Sequence, residues 1–197
     1  MRLGFIGPAK SDVAALERAA ELLICDLEVD TVIYLGEDAA LRGFMSKHEP
    51  DAGESALAQQ VADVAASGTS DEIEEVLRKL RGARYLGKLR VAPPSPRRAM
   101  EMLDDRIALI VRNKSTIGEE DVINSNIVVY GDAKELLFKR FGPRCFFSPG
   151  PLESGHIGLL DDQSETGGVV LQAIKLSGEL SWSEPIQGRG AKVMVAP

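Results

Sequence analysis

The chain has 197 residues, the length of one domain with a buried core. With 44% hydrophobic and 27% charged residues it is neither disordered nor fibrous, and no apolar run approaches the roughly 20 residues of a bilayer span. A net charge of −7 argues against a general binder of nucleic acid or anionic membrane, which would collect Lys and Arg to displace counterions.

In chain order, residues 2–6 (RLGFI) and 31–35 (TVIYL) predict strands. Between them Val13, Leu16, Ala20, Leu23, Ile24 and Leu27 recur at helical spacing, completing a βαβ unit. Residues 43–56 read as a loop in which His48 is a solvated residue. Leu57, Val61 and Val64 mark a helix. The Thr69-x-x-Glu72 capping box opens another, with Ile73, Val76, Leu77 and Leu80 on one face and the acidic run from Asp71 to Glu75 in solvent. The segment APPSPRRAMEML predicts a turn, then a short helix with Ser95 as N-cap and Pro96 at its first position. Ile107–Val111 and Ile127–Tyr130 are buried strands. From Cys145 the runs CFF, HIGLL, GGVVLQAI, ELSW and AKVMVA predict short strands, with a hairpin turn at Ser177-Gly178. Alternating strand and helix followed by a strand-rich third predicts an α/β domain over 1–197, two sheets face to face with helices outside, its β-rich second layer beginning at about residue 145.

Familiar local motifs fail. A G-x-G-x-x-G fingerprint begun at Gly7 needs glycines where Ala9 and Asp12 stand. A phosphate loop begun at Gly4 meets Pro8, which has no N–H to offer. The two histidines, His48 and His156, cannot build a poly-histidine metal site, and His156 reads as a structural histidine. Cys25 and Cys145, far apart, offer no disulfide framework and read as inert thiols; with an N-terminus unlike a signal peptide, the expectation is a cytoplasmic protein. No G-x-S-x-G elbow surrounds Ser148 or Ser154.

The whole-chain order is more telling. A strand ending FIGPAKS, a helix, a strand ending YLGE, helices, YLGK, a strand ending LIVRNK, a strand ending VVYGDAK, then CFFSPGPL and a β-rich tail resembles the small calcineurin-like metallophosphoesterases over about residues 1–175. The resemblance implies a two-sheet β sandwich of mixed parallel and antiparallel strands flanked by helices. It also implies metal ligands at the strand ends. Aligned by strands, the first aspartate and histidine fall on Pro8 and Lys10, the second aspartate on Glu37, and the asparagine on Lys88. The fourth-strand histidine falls on Arg112, or else Lys114, and the last two on Asp132 and Lys134. Lys and Arg only donate, and they repel a metal, so the expectation is a pseudo-enzyme without cofactor or metal.

Lys10, Lys88, Arg112 and Lys134 with Glu37 and Asp132 are then expected to converge, either as a salt-bridge network or as an anion site for a phosphate or nucleotide with Arg112 as a fork. A retromer subunit sharing the fold, a scaffold acting through apolar surface, makes a protein partner the leading expectation. Phe44, Met45 and Trp182 are the candidate contacts, with ordinary packing as the alternative, and an exposed tail strand pairing with a second copy is a further reading. The competing enzyme reading is a phosphoesterase with an unusual metal site built from Glu37, Asp132 and neighbours such as Asp12 or Asp38.

Overall fold

The computed structural model describes residues 1–49, 54–162 and 168–186, apart from the side chains of 54–56. The predicted βαβ unit is present. Strands β1 (Arg2–Ile6) and β2 (Thr31–Tyr34) pair in parallel and are joined by α1 (Val13–Glu21). A π-helical turn, Leu22–Asp26, prolongs α1 and keeps Leu22, Leu23 and Ile24 all buried. Gly4 lies inside β1, where a Cβ would come 2.8 Å from the Leu23 methyls. It is a packing glycine rather than the start of a phosphate loop.

Three further helices follow: α2 (Ala39–His48), α3 (Glu54–Ser67) and α4 (Ser70–Lys88). The capping box at Thr69 and Glu72 forms as expected. Residues 43–48, expected to be loop, are helical because Asp38 caps α2 and Phe44 is driven inward against Tyr85. Residues 50–53 of the expected loop lie outside the described residues. The YLGK segment is the last turn of α4, not a strand, and the strand after it is β3 (Leu89–Val91).

The helix expected after Pro96 is instead β4 (Ala99–Leu103). It pairs with β5 (Arg106–Val111), Ala99 opposite Ile110, and alternates exposed Met100 and Met102 with buried Leu103. Pairing with a buried neighbour outweighs the local capping signal. After β5 come the short α5 (Glu119–Asn124), β6 (Ile127–Tyr130), β7 (Leu137–Phe141), which was not foreseen, and β8 (Arg144–Ser148). The chain then forms β9 (His156–Asp161), β10 (Val170–Lys175) and β11 (Leu180–Pro185), with Gly178 at positive φ in the expected hairpin turn. The expected AKVMVA strand lies outside the described residues.

The strands form two mixed sheets, β11-β10-β9-β1-β2-β3 and β4-β5-β6-β8-β7. The second layer therefore begins at β4 and ends at β8, and the tail returns to the first sheet beside β1. The expected change of layer at about 145 is corrected, because β8 pairs in parallel with β6 while β9 pairs antiparallel with β1.

Leu3, Phe5 and Ile33 of the first sheet meet Leu103, Ile110 and Phe147 of the second in a buried core. The helices α1, α2 and α4 cover the outer face of the first sheet, around Leu16, Leu23, Phe44 and Tyr85. Ion pairs and ring contacts close both edges of the sandwich. Arg90 reaches Glu101 at 3.6 Å on one side, and Phe138 packs on Trp182 with Arg140 2.8 Å from Glu184 on the other.

The spacing between the sheets is tight at Gly158, where a Cβ would lie 2.4 Å from Cε1 of Phe147. Gly158→Ala is expected to cost about 1–3 kcal/mol of stability through overpacking. Urea unfolding measures it, and an unchanged midpoint would mean that the Phe147 ring yields freely.

Candidate functional site

Parallel strands deliver their C-terminal ends to one rim, where the loops after β1, β2, β3, β5, β6 and β8 meet. Backbones touch there. A Cβ on Gly7 would fall 1.7 Å from the Gly150 carbonyl oxygen, and one on Gly131 2.4 Å from that of Leu35. Glycine is required at both positions by this close approach.

Asp38 organises the rim. Its Oδ1 accepts from Leu41 N at 3.1 Å, capping α2, while its Oδ2 accepts from Ala9 N at 3.0 Å, Lys10 N at 2.8 Å and the Tyr34 hydroxyl at 2.6 Å. Lys10 stands at φ +59, a left-handed conformation held by these bonds and by Ala40 N donating to its carbonyl. Burial first, and then the hydrogen bond to Asp38, raises the Tyr34 phenol well above its ordinary range. Asp12 is likewise committed, its Oδ1 accepting from Ala15 N at 2.8 Å as the cap of α1.

The expected charged residues converge only in part. Arg112, after β5, forms an ion pair with Glu37 and donates through Nε to the Ala92 carbonyl at 2.5 Å, so one guanidinium spans the ends of β2, β3 and β5. Lys10 Nζ pairs with Glu153 at 2.7 Å. Asp132 is exposed and accepts from Lys114 N at 3.0 Å. Lys134 is exposed and makes no ion pair among the described residues.

Lys88 does not belong to the site. Closing α4, its Nζ donates to the Val29 carbonyl at 2.6 Å, ahead of β2 and at the opposite end of the sheet. β3 ends at Val91 and is followed by Ala92 and Pro93, so that position of the rim carries no side-chain ligand. Asp38, Tyr34 and Glu153 were not singled out as its organisers. An aspartate three residues before Leu41, at the head of an apolar-periodic run, was a readable capping signal for the first. Glu153 left none, since Lys10 lies 143 positions away.

The donor set does not fit a dinuclear metal centre, whose ions would be held by imidazoles and free carboxylates. Lys10, Arg112 and Lys134 are cations, Glu37 is claimed by Arg112, and the Asp38 oxygens already face four donors. Among the described residues no three His, Cys, Asp or Glu side chains gather as a metal-holding group.

Of the proposed partner contacts, Phe44 is fully buried and Trp182 is half-buried against Phe138, ring centroids 4.3 Å apart, so both serve the core. Met45 alone is exposed. His48 is not solvated. Its ring is buried against Phe44 and Tyr85, and its Nε2 is 2.9 Å from Glu17. His156 Nε2 stands 3.4 Å from Ser181 Oγ, while its Nδ1 is buried without a partner among the described residues. Both cysteines are free, and burial pushes the Cys145 thiol up, away from reactive thiolate.

No family model matches the sequence, and no curated protein matches it. Solved structures do. The Escherichia coli phosphoesterase YfcE is 15% identical with a TM-score of 0.58, covering 95% of this chain and 100% of its own. An archaeal phosphodiesterase is 17% identical at 0.52, covering 88% of this chain and 100% of its own. Chaetomium thermophilum Vps29, solved with a cyclic peptide, is 10% identical at 0.53, covering 96% and 98%. At these identities the similarity establishes the fold, and the chain has the metallophosphoesterase-like α/β fold expected from its strand order.

All three tyrosines are held protonated in the folded chain. Tyr85 is pushed up to about 12, chiefly by burial, and Tyr34 and Tyr130 are also raised by burial, each with a nearby aspartate adding to the effect. Between about pH 10 and 12 the unfolded chain therefore binds fewer protons than the folded one, so stability falls as pH rises through that window. Phenolate absorbance at pH 10.5 is expected to be low in native protein and high in urea. Equal absorbance in the two states would contradict the burial of Tyr34 and its bond to Asp38.

Proposed function

We propose that this chain acts by binding rather than by hydrolysis, as a protein-interaction or anion-binding module on a metallophosphoesterase-like fold. The observation that carries the reading is the pair of ion pairs at the strand ends, Arg112 on Glu37 and Lys10 on Glu153, beside an Asp38 carboxylate that accepts four internal hydrogen bonds. Phosphoester hydrolysis on such a rim needs ions that lower the pKa of a bound water to about 7 and clamp the phosphoryl oxygens. Ammonium and guanidinium groups hold an anion but generate no hydroxide.

Protein contact is the favoured mode, because Arg112 and Lys10 are already paired with carboxylates. The peptide-bound Vps29 of similar fold supports it by analogy of fold alone. Exposed Lys114 and Lys134, flanking Asp132, support the anion mode. Two free cysteines and a chain with no helix, among the described residues, long and apolar enough to cross a membrane suit a cytoplasmic setting.

Titration with manganese, read by calorimetry and by hydrolysis of an aryl phosphate, tests the reading. The expected result is no stoichiometric metal uptake and no metal-dependent turnover. Two equivalents of metal with metal-dependent hydrolysis would overturn it in favour of an enzyme using Glu37 and Asp132. A phosphate-induced rise in melting temperature that Arg112→Ala abolishes would select the anion mode, and no shift the protein mode.

A further inference from the structure

The α3–α4 hairpin stands apart from the rim and is incompletely packed. Its first helix packs mainly on α4, and none of the described side chains of α3, from Leu57 to Ser67, is fully buried. Between the helices runs an apolar groove of about 230 Å³, lined on one side by Val61 and Val64 and on the other by Ile73, Leu77 and Leu80. Those three α4 side chains are 43%, 52% and 39% exposed, so an apolar stripe faces solvent along a helix of 19 residues.

The charges beside this stripe are sorted along the helix axis. Asp71, Glu72, Glu74 and Glu75 fill the N-terminal half, and Arg78, Lys79, Arg81 and Arg84 the C-terminal half, with Leu77 at the changeover. Within the chain this sorting is only partly used. Arg78 pairs with Glu75 at 2.7 Å and Arg81 reaches Glu21 at 3.9 Å, whereas Asp71 and Glu74 make no ion pair among the described residues. A broad concavity joins the two halves, with Asp71, Glu74, Leu77, Arg78 and Arg81 around it.

We propose that this face binds a second copy of the chain, the two α4 helices crossing antiparallel about a two-fold axis at Leu77. The arrangement is self-complementary, as an isologous interface must be. Leu77 meets its own copy. Glu74, one turn before it, lies opposite Arg81 of the other chain, one turn beyond, and each acidic half covers a basic half. A parallel pairing would instead stack like charges. Nineteen residues rise about 28 Å and two packed helices are about 20 Å wide. The face thus offers on the order of 500 Å² per copy, near the lower bound of about 1,000 Å² total for a specific interface. The dimer is accordingly a reversible one whose population rises with concentration.

Sedimentation velocity of the full chain across a concentration series tests the proposal. The expected result is a shift from the 21.2 kDa monomer toward twice that mass as concentration rises. Leu77→Glu is expected to weaken association at least about tenfold with an unchanged far-UV spectrum. Glu74→Arg and Arg81→Glu should each weaken it, and the two together in one chain should restore it, because the swapped charges again face each other across the axis. A chain that stays monomeric at every concentration, or a dimer indifferent to Leu77→Glu, would overturn the proposal. A double variant no better than the singles would overturn the antiparallel arrangement, independently of any loss of fold in the Leu77 variant.

Discussion

The Asp38 carboxylate accepts four hydrogen bonds from three separate places in the chain, and the strand-end rim takes its shape from that convergence. One oxygen starts α2. The other fixes the backbone of Ala9 and Lys10 and takes the hydroxyl proton of buried Tyr34 in a hydrogen bond. An unpaired buried hydroxyl or N–H costs about 1–3 kcal/mol, so three donors meeting one acceptor make the loop after β1 intolerant of alternatives. The same bonds commit both Asp38 oxygens to the chain's own backbone and to Tyr34. A residue that elsewhere would be an obvious metal donor is here a structural fastener.

Around that fastener the cations act as struts. Arg112 joins the ends of three strands from both sheets through one carboxylate and one carbonyl, and it does so from a half-buried position that discourages any other partner. Its partner Glu37 is mostly exposed, so the ion pair contributes about 1 kcal/mol or less. Its consequence is geometric more than energetic. Side-chain pairs bridge the strand ends, while the glycine contacts Gly7 to Gly150 and Gly131 to Leu35 hold the loop backbones close together. Binding elsewhere, on the α3–α4 hairpin, depends on none of these contacts and is a property of the helices outside the first sheet.

The βαβ opening, the helix begun by the Thr69 capping box, the strands at 106–111 and 127–130 and the hairpin at Gly178 were all legible, because each rests on periodicity or turn chemistry within a few residues. Two errors share one cause. AMEML reads as helix after Ser95-Pro96, yet Ala99 opposite Ile110 makes it a strand. YLGK reads as a strand end, yet it closes α4. Both outcomes depend on a neighbour many residues away that no window contains. Phe44 and Trp182 show the same limit for the site: an aromatic in an apparent loop or tail looks available to a partner until the fold supplies Tyr85 or Phe138 to cover it.

The amino-acid order by itself determined the two-layer class, the succession of strand ends, and the cationic residue types Lys10, Arg112 and Lys134 beside them, since residue chemistry does not depend on where the chain goes. Only the tertiary structure decided which of those residues meet. It sent Lys88 to the far end of the sheet, gave Lys10 a partner in Glu153, and turned Asp38 inward onto the loop it secures. Ion pairs and shared acceptors are set by distances of about 3 Å between residues as far apart in sequence as Lys10 and Glu153, and such distances exist only once the two sheets have closed on one another.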